Sequence, residues 1–330
     1  MAKFTGRRVS VGIAKEATHG GAAVAAQYWI PRTAITFDDR VRKALVAGSY
    51  GNISDAPMTA YVVHKYGEGN LEGEININSF GLLLLAVLGT EVASAGSPEV
   101  GVNTHNYTLL NTNQHPSLTI HVSDPIGNVQ FRLAMINSLT IEVTPGEIVR
   151  YTANFVSRGS GVSSETVTWV TDTRFTSPNL TFKVGTNKDT VLVGTAIKLR
   201  SLTLEIAKNV EQLEVLGSFG PEDILNKGLR ISGSLELTYE DRTWRDYMLN
   251  GTARAMWIKL ESTKNISANY KAKLEFVFPK IHFDAWESLR GLDDISSQTI
   301  NFEVMLDIST DPARLWSTCQ IYNTAASSNY

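Results

Sequence analysis

Short stretches in which apolar and polar residues alternate recur along almost the whole chain, and they are rich in Val, Ile, Thr and Phe. This period of two is typical of β-strands that bury one face. Turn-forming residues separate the stretches, as at residues 124–128, 145–146 and 159–161. The pattern predicts antiparallel sheets, each with one wetter face. The stretches are RRVSVGI, EININ, SLTIHV, NSLTIEV, VRYTANFV, NLTFKV, RSLTLEI, LRISGSLELTY, KAKLEFVF and QTINFEVML.

Helical signals are few, and the best of them lie at residues 82–88, 241–249 and 284–289. Seven consecutive apolar residues in a helix rise only about 10 Å, against a hydrocarbon core of roughly 30 Å, so residues 82–88 are not expected to span a membrane. The basic N-terminus has no apolar segment behind it and does not resemble a signal peptide. One cysteine, Cys319, cannot form an internal disulfide, and we expect a soluble protein made in a cytoplasm.

Length and composition are those of a globular protein. The 330 residues, 43% hydrophobic and 19% charged, can bury one large core or two modest ones. A formal net charge of −3 argues against a surface that is dominated by polyanion binding, although a local basic patch would be compatible with it.

Internal repetition is the more informative signal. Three short matches occur twice in the same order, and together they predict two copies of one α+β unit, at residues 1–162 and 163–330, the second ending in a C-terminal arm. A separate resemblance, between INSLTIEV at 136–143 and LRSLTLEI at 199–206, is interpreted as two similar strands. The three matches are GSYG and GSFG at 48–51 and 217–220, Gly-x-[Ile/Leu]-x-[Ile/Leu] at 73–77 and 233–237, and Gly-Thr at 89–90 and 251–252.

The helix candidates of the two copies differ. In the second, Trp244, Tyr247 and Met248 form one apolar stripe, which is typical of a surface helix that covers a sheet. The first is apolar all round, because Leu82 and Leu85 point away from its main stripe. Their face must be covered by the other copy, by another chain or by a loop of the same domain. We expect Leu82 and Leu85 to lie at a domain or subunit interface.

Three further segments suggest contact between chains. Residues 38–70 are long for a connection within a domain, and their counterpart at about 207–230 is acidic, so the two suggest complementary faces on stacked or adjacent units. Two unrelated solvated loops would explain the charges equally well. The tail carries aromatics beyond the last predicted strand, as an arm gripping a neighbour would. The residues concerned are Arg40, Arg42, Lys43, Tyr61 and Tyr66 in the first segment, Glu211 and Glu214 in the second, and Trp316 and Tyr322 in the tail.

Residue patterns for chemistry are absent from the sequence. His115 and His121 are six residues apart, about 20 Å on a strand, so they cannot share a metal. Cys319 has no adjacent base, and the glycine-rich GEGNLEG at 67–73 leads into a strand, without the phosphate-binding strand-to-helix context. We expect neither an enzyme nor a cofactor or metal.

Four stretches, in order, carry a family resemblance: VSVGIAKEATHGGAA (9–23), INSFGLLLLAVLG (77–89), THNYTLLNTNQHPSLTIHV (104–122) and MINSLTIEV (135–143). The chain resembles the major tail tube proteins of bacteriophages with long non-contractile tails. The resemblance implies two tandem β-sandwich or open-barrel domains, each with a flanking helix, that contribute sheets to a ring-shaped inner β-barrel. Rings would stack into a tube through which the genome passes.

The implied function is that of a structural virion protein without enzymatic activity. The duplicated form favours a homotrimeric ring with pseudo-sixfold symmetry, and a hexamer of whole chains is the alternative. Tape measure, tail terminator and tail tip proteins are the implied partners, double-stranded DNA would pass without specific binding, and assembly would occur in the host cytoplasm without membrane insertion by this chain. Candidate lumen residues, which could equally face outward, are Glu74, Asn76, Asn78, Ser234, Glu236 and Thr238.

A rival interpretation comes from a different functional class. A β-sandwich binding module of a tail tip or adhesin would recognise host glycans, and its exposed aromatic side chains would stack on sugar. Trp29, Tyr61 and Tyr66 are the candidates for that role.

Overall fold

Strands dominate the structure. The computed structural model describes residues 3–46, 48, 51, 53, 57–306, 318–326 and 330. We call residues 3–162 the first half and residues 163–330 the second half. The first half begins with a 3₁₀ turn at Gly6–Arg8, and its elements are β1 (Ser10–Lys15), β2 (Tyr28–Ile30), β3 (Arg32–Ile35), β4 (Asp38–Leu45), β5 (Ala60–Glu74), α1 (Phe80–Leu88), β6 (Gly89–Ser94), β7 (Asn103–Leu109), β8 (Leu118–Ser123), β9 (Asn128–Val143), β10 (Arg150–Arg158) and β11 (Gly161–Val162).

The first regular element of the second half is also a 3₁₀ turn, at Ser177–Asn179, which leads into a strand. Its elements are β12 (Leu180–Gly185), α2 (Lys188–Val193), β13 (Ser201–Ala207), β14 (Val210–Leu213), β15 (Asp223–Asn226), β16 (Arg230–Thr238), α3 (Thr243–Leu249), β17 (Arg254–Asn265), β18 (Lys271–Leu289), β19 (Ser297–Val304) and β20 (Thr318–Asn323). Among the described residues, no helix has the length and apolar character that crossing a membrane requires.

The two halves share one order of antiparallel pairing. In the first half, β5 pairs with β10, β10 with β9, β9 with β8, and β8 with β1. In the second half, β16 pairs with β19, β19 with β18, β18 with β17, and β17 with β12. Each step of the first series therefore has an equivalent step in the second.

A β-bulge falls at the same step of both series. In β9–β10 the register shifts between Asn154 and Phe155, and in β18–β19 it shifts between Asn301 and Phe302. The two positions carry similar sequences, TANF at 152–155 and TINF at 299–302, a match that the sequence analysis did not use. A bulge adds one residue to one strand, so its recurrence fixes which residues of the two halves are equivalent.

Pairing between β9 and β13 joins the halves into one sheet. Val143 lies opposite Leu202, and Ser138 lies opposite Ala207. The strands of similar sequence, SLTIEV and SLTLEI, are thus hydrogen-bonded partners. The result is a continuous seven-strand sheet, here called the central sheet, in the order β5–β10–β9–β13–β16–β19–β18.

The glycine repeat differs in detail from its prediction. Gly233 lies opposite Phe302, and the residue that lies opposite Phe155 is Gly69, whereas Gly73 lies opposite Tyr151. The proposed equivalence of Gly73 and Gly233 is therefore four residues out of register. The match that fits the pairing is GNLE at 69–72 with GSLE at 233–236.

Two other local predictions need correction. Residues 284–289 form no helix; they continue β18, since their backbone pairs with β19. The stretch EININ is a strand only as far as Glu74, after which residues 75–79 turn into α1. The first copy of the GS[Y/F]G motif includes residues 49–50, which lie outside the described residues.

Helix α1 is covered on every side by its own chain. All nine of its residues are buried, with Leu82 0% and Leu85 2% exposed. The helix packs against β9, β7 and β6, and the ring of Tyr330 fills the space beside Gly81. The uncovered face that suggested contact with another subunit is therefore absent, because one chain already buries both leucines.

Two ionisable side chains of the second half hold the ends of α1. The Asp172 carboxylate accepts hydrogen bonds from the backbone N–H groups of Asn78 (3.0 Å) and Ser79 (3.3 Å), just before the first turn. At the other end, Lys208 Nζ donates to the Ala86 carbonyl at 2.8 Å. A negative charge at the N-terminal end and a positive charge at the C-terminal end both interact favourably with the helix dipole. Burial raises the pKa of Asp172 to about 6 and lowers that of Lys208 to about 7.

Helix α3 is the one-sided surface helix that its sequence predicts. Trp244 is buried and meets Phe283 edge to face at 5.6 Å, while Tyr247 and Met248 pack against the core. The main hydrophobic cluster runs through both halves, and α1, which packs on β9, and α3, which packs on β18, both contribute to it.

The C-terminal arm makes its contacts within the chain. Strand β20 pairs with β18 of the second half and with β7 of the first half. Tyr322 lies opposite Lys273, whose Nζ is 3.9 Å from the centre of the tyrosine ring. Tyr322, which was expected at a subunit or domain interface, therefore lies between the two halves of one chain. A contact of Tyr322 with a neighbouring subunit stays a prediction. Trp316 lies outside the described residues.

Buried Lys208 predicts a pH-dependent stability. Its pKa is about 7 in the fold and about 10.5 in the unfolded chain, so between these values the unfolded chain binds more protons and stability rises with pH. We expect the free energy of unfolding of the wild type, relative to Lys208→Met, to rise by about 3 kcal/mol between pH 7 and pH 9.5. Urea denaturation of both proteins at each pH measures this. A difference that does not change with pH would contradict it.

Candidate functional site

The central sheet has one apolar and one polar face. Its apolar face, with Leu71, Phe155, Ile141, Leu204 and Phe302, forms the core. On the other face every strand carries polar side chains, and we call this surface the polar face. Its acidic and uncharged polar residues are Glu68, Asn70, Glu72 and Glu74 of β5, Thr152 and Asn154 of β10, Ser138, Thr140 and Glu142 of β9, Thr203 and Glu205 of β13, Ser232, Ser234 and Glu236 of β16, Thr299, Asn301 and Glu303 of β19, and Glu287 of β18. Two arginines of these strands, Arg150 and Arg230, lie on the same face.

Glutamates and small polar side chains intermix across the polar face. One cross-strand row reads Glu72, Thr152, Thr140, Glu205, Ser232 and Glu303. Since neighbouring strands lie about 4.8 Å apart, the glutamates in such a row are separated by roughly 10–14 Å. That spacing keeps their mutual repulsion small at physiological salt. The row crosses from the first half to the second without a gap.

Hydrogen bonds and ion pairs fix parts of this face. Asn154 Nδ2 donates to Ser138 Oγ at 2.8 Å, and Asn70 Nδ2 donates to Glu72 Oε1 at 3.0 Å. Arginines lie at the rim, where each meets one glutamate. These pairs are Arg174 with Glu74 (2.7 Å), Arg200 with Glu236 (3.6 Å) and Arg230 with Glu303 (2.7 Å). Glu142 and Glu205, in the middle of the sheet, are exposed and keep the face acidic.

The predicted lumen residues divide into two groups. Glu74, Ser234, Glu236 and Thr238 lie along the polar side of β5 and β16. Asn76 is only 2% exposed and bridges to Arg174 of the segment 163–176, here called the linker. Asn78 lies in the turn before α1. These two asparagines therefore do not line the sheet, because β5 ends at Glu74 and its alternation ends there too.

The basic and acidic segments form two hairpins that touch each other. The first, β4–β5, has an exposed strand carrying Arg40, Arg42 and Lys43, and the second is the small β14–β15 sheet. Arg42 pairs with Glu214 at 3.0 Å, and Lys65 N donates to the Phe219 carbonyl at 2.6 Å. The complementary charges thus meet within one chain. An exposed pair of this kind contributes about 0–1 kcal/mol.

The remaining residues of these hairpins have separate surroundings. Glu211 pairs with Lys227 at 2.6 Å within the second hairpin. Tyr61 is exposed on β5, whereas Tyr66 is half-buried and stacks on His64 with ring centres 5.4 Å apart. Trp29 is buried, so it cannot contact a sugar, and that part of the glycan-binding interpretation is wrong.

Two strand edges of the described chain are unpaired. Residues 138–143 of β9 pair on both sides, whereas the equivalent residues 285–289 of β18 pair with β19 alone. Likewise β13 pairs on both sides, but β3 and β4 pair only with β5. Exposed apolar side chains lie at both places, including Leu289 (62% exposed) and, on β4, Val41. Unpaired edges of this kind recruit other strands unless they are covered.

Groups that could carry chemistry are held in structural roles. His105 is buried between Glu91 (2.8 Å) and Asn323 (3.0 Å). Burial, with the nearby Lys208, lowers the pKa of His115 to about 4, and burial raises the pKa of the Cys319 thiol. In the part of the chain that the structure describes, no three His, Cys, Asp or Glu side chains are grouped so that they could hold a metal ion.

Sequence reasoning missed most of the polar face. The alternation assigned to strands, but not to a shared face, the residues Thr152, Asn154, Thr299 and Asn301. The motifs TANF and TINF, which contain them, repeat at a spacing of 147 residues, which is the difference between 299 and 152. That repeat, with GNLE and GSLE, could have aligned the two halves and shown which alternate positions share a face.

Comparison with known proteins gave one family. A family model described as "Phage tail tube protein" matches residues 6–304. No curated protein matches the chain.

The close packing behind the polar face predicts an effect of substitution at Gly233. A Cβ there would meet the Thr203 carbonyl and lie 2.6 Å from Phe302 Cζ. We expect Gly233→Ala to lower the free energy of unfolding by about 1–3 kcal/mol, measured by urea denaturation. Gly127→Ala is the matched control, since nothing lies within 4 Å of its added Cβ. If Gly233→Ala and Gly127→Ala lowered the free energy of unfolding equally, close packing at Gly233 would be refuted.

Proposed function

The chain belongs to the phage tail tube protein family, and we propose that it assembles into stacked rings that form the tube of a long non-contractile tail. The observation that carries the proposal is the β9–β13 joint, which fuses two sheets edge to edge inside one chain and leaves two further edges unpaired. Family membership makes the protein a structural component of the virion tail.

We infer that the chain contains two tandem copies of one unit, at residues 1–162 and 163–330. The shared pairing order and the bulge at Asn154 and Asn301 support this division. The linker between the copies packs on the first one, since Thr173 and Phe175 accept hydrogen bonds from Ile77 and Val149.

The joint between subunits would repeat the joint within the chain. By the equivalence of the two halves, β18 of one subunit corresponds to β9, and β3–β4 of the next subunit correspond to β13. The pairing of Ser138 with Ala207 then becomes a pairing of Ala285 with Arg40 of the next subunit. Such head-to-tail contacts use two different surfaces, and they close into a ring when the rotation allows. Three chains would supply six units, and six chains are the alternative.

Ring closure would turn the central sheets into one inner barrel. A closed barrel has no unpaired strand edges. Closure would therefore pair the free backbone groups at β18 and β3–β4, and this pairing would favour assembly. We place the polar face on the lumen side. Its glutamates repel phosphate, and its serines, threonines and asparagines offer no fixed charge, so DNA would pass without strong binding.

The same proposal covers the partners. A tube of this kind needs proteins that set its length and close its ends, so we infer contacts with tape measure, tail terminator and tail tip proteins, with assembly in the host cytoplasm. A glycan-binding adhesin module is not favoured, because Trp29 is buried.

Assembly of the purified protein tests the proposal directly. We expect rings and tubes by negative-stain electron microscopy above a critical concentration, and a protein that stays monomeric at all concentrations would refute it. Leu289→Asp places a charge on the unpaired β18 edge and should abolish rings while leaving the monomer melting temperature within about 2 °C. Val193→Asp, at the exposed last residue of α2, should assemble normally. Loss of rings in both variants, or in neither, would contradict the joint at β18.

DNA retention tests the lumen assignment. Glu205→Lys reverses a charge in the middle of the polar face, so assembled tubes should retain double-stranded DNA, and retention should fall steeply with salt. Asp189→Lys makes the same charge change on α2, away from the polar face, and should retain no more than the wild type. Retention can be measured by co-sedimentation of preformed tubes with short duplexes between 50 and 200 mM salt. Equal retention by the two variants would place the polar face outside the lumen.

A further inference from the structure

The linker clamps the first half through one phenylalanine. Phe175 is fully buried, and its carbonyl accepts a hydrogen bond from Val149 N at 2.9 Å. On either side, Thr176 forms a bridge with Ile148, and Arg174 pairs with Glu74 at 2.7 Å. The segment therefore closes one end of the first half by backbone pairing, a buried ring and an ion pair.

The N-terminus repeats this segment. Lys3-Phe4-Thr5 precedes the 3₁₀ turn Gly6–Arg8 and strand β1, as Arg174-Phe175-Thr176 precedes the 3₁₀ turn Ser177–Asn179 and strand β12. Each turn closes with the same bond, from Arg8 N to the Thr5 carbonyl and from Asn179 N to the Thr176 carbonyl. The two segments differ in burial, since Phe4 is 40% exposed. Among the described residues, the Phe4 side chain is therefore not enclosed by its own half as Phe175 is.

The second half has a cleft where the first half holds the linker. Tyr239 N donates to the Ser296 carbonyl at 2.9 Å, as Ile75 N donates to the Val149 carbonyl at 3.0 Å, which aligns the two regions. The cleft has a volume of about 420 Å³ and is lined by Thr238, Glu240, Asp241, Trp244 and Gln298, together with residues 196–198 and Leu237. Ile295, which corresponds to Ile148, is exposed beside it.

We propose that Lys3, Phe4 and Thr5 of one subunit dock into this cleft on the second half of the neighbouring subunit, with the Phe4 ring against Trp244. The proposal rests on the ring inferred above, because the subunit that donates this segment is also the one whose β3–β4 would pair with β18 of the receiving subunit. Charge favours it. The segment carries Lys3 and is followed by Arg7 and Arg8, and the cleft is lined by the carboxylates of Glu240 and Asp241 together with one cation, Lys198.

Cross-linking between two single-cysteine variants tests the docking. Thr5→Cys and Ile295→Cys correspond to the bridged pair Thr176 and Ile148, and bridged strand residues lie within disulfide distance. Mixed and assembled under mild oxidation, the two variants should give a covalent dimer on a non-reducing gel. Each variant alone should give no covalent dimer, because the buried Cys319 should not react. A mixture that yields no more dimer than either variant alone would overturn the proposal.

Substitution of Phe4 and of Phe175 distinguishes an effect on assembly from an effect on the stability of the monomer. Phe4→Ala should keep the wild-type melting temperature and raise the critical concentration for tube assembly roughly tenfold or more. Phe4→Leu keeps an apolar side chain, so its critical concentration should lie close to that of the wild type. Phe175→Ala, the same change in the linker, should lower the melting temperature of the monomer. If Phe4→Ala assembles at the same critical concentration as the wild type, the docking of residues 3–5 is refuted, whereas the proposed assembly into a tube is not. If the wild type forms no tubes, the proposed function itself fails.

Discussion

Pairing of β9 with β13 is the interaction on which the rest of the structure depends. It converts two separate sheets into one amphipathic sheet, so that a single apolar face can be buried by α1, α3 and the outer strands. The opposite face becomes a continuous polar surface for the same reason, since side chains alternate strictly across a paired sheet. Without this joint, residues 138–143 and 201–207 would be unpaired edges like those at β18 and β3–β4.

Helix α1 shows how firmly the halves are tied at that joint. It belongs to the first half, yet Asp172 and Lys208 of the second half hold its two ends, and Tyr330 packs at its side. Burying an ionisable group carries a desolvation penalty, which here is offset partly by the helix dipole and by direct hydrogen bonds. The halves of this chain are therefore not independent units, although their strands pair in the same order.

Much of the fold follows from the sequence, and the failures have physical causes. Alternation located many of the strands, and apolar periodicity located the helices at 80–88 and 243–249, because periodicity reflects burial directly. It missed β4, nearly all of β5 and β17, and residues 38–70 were interpreted as a connection. It failed at 284–289, where a short segment fits either period until its partner strand is known. Complete burial of α1 involves residues far away in sequence, such as Tyr330 beside Gly81 and Lys208 at the Ala86 carbonyl. The polar face required the strand register, which the overlooked TANF and TINF match could have supplied.

The covalent linker also changes the thermodynamics of building a ring. Each free body that joins an assembly loses translational and rotational entropy, at an estimated cost of 4 kcal/mol or more. In the proposed ring of three chains, half of the six sheet joints would form during folding, where the linker sets a high effective concentration of one unit beside the other. Only the other three joints would form between separate chains. A tube built in this way can therefore grow at a lower protein concentration than one built from single units with equally strong edges.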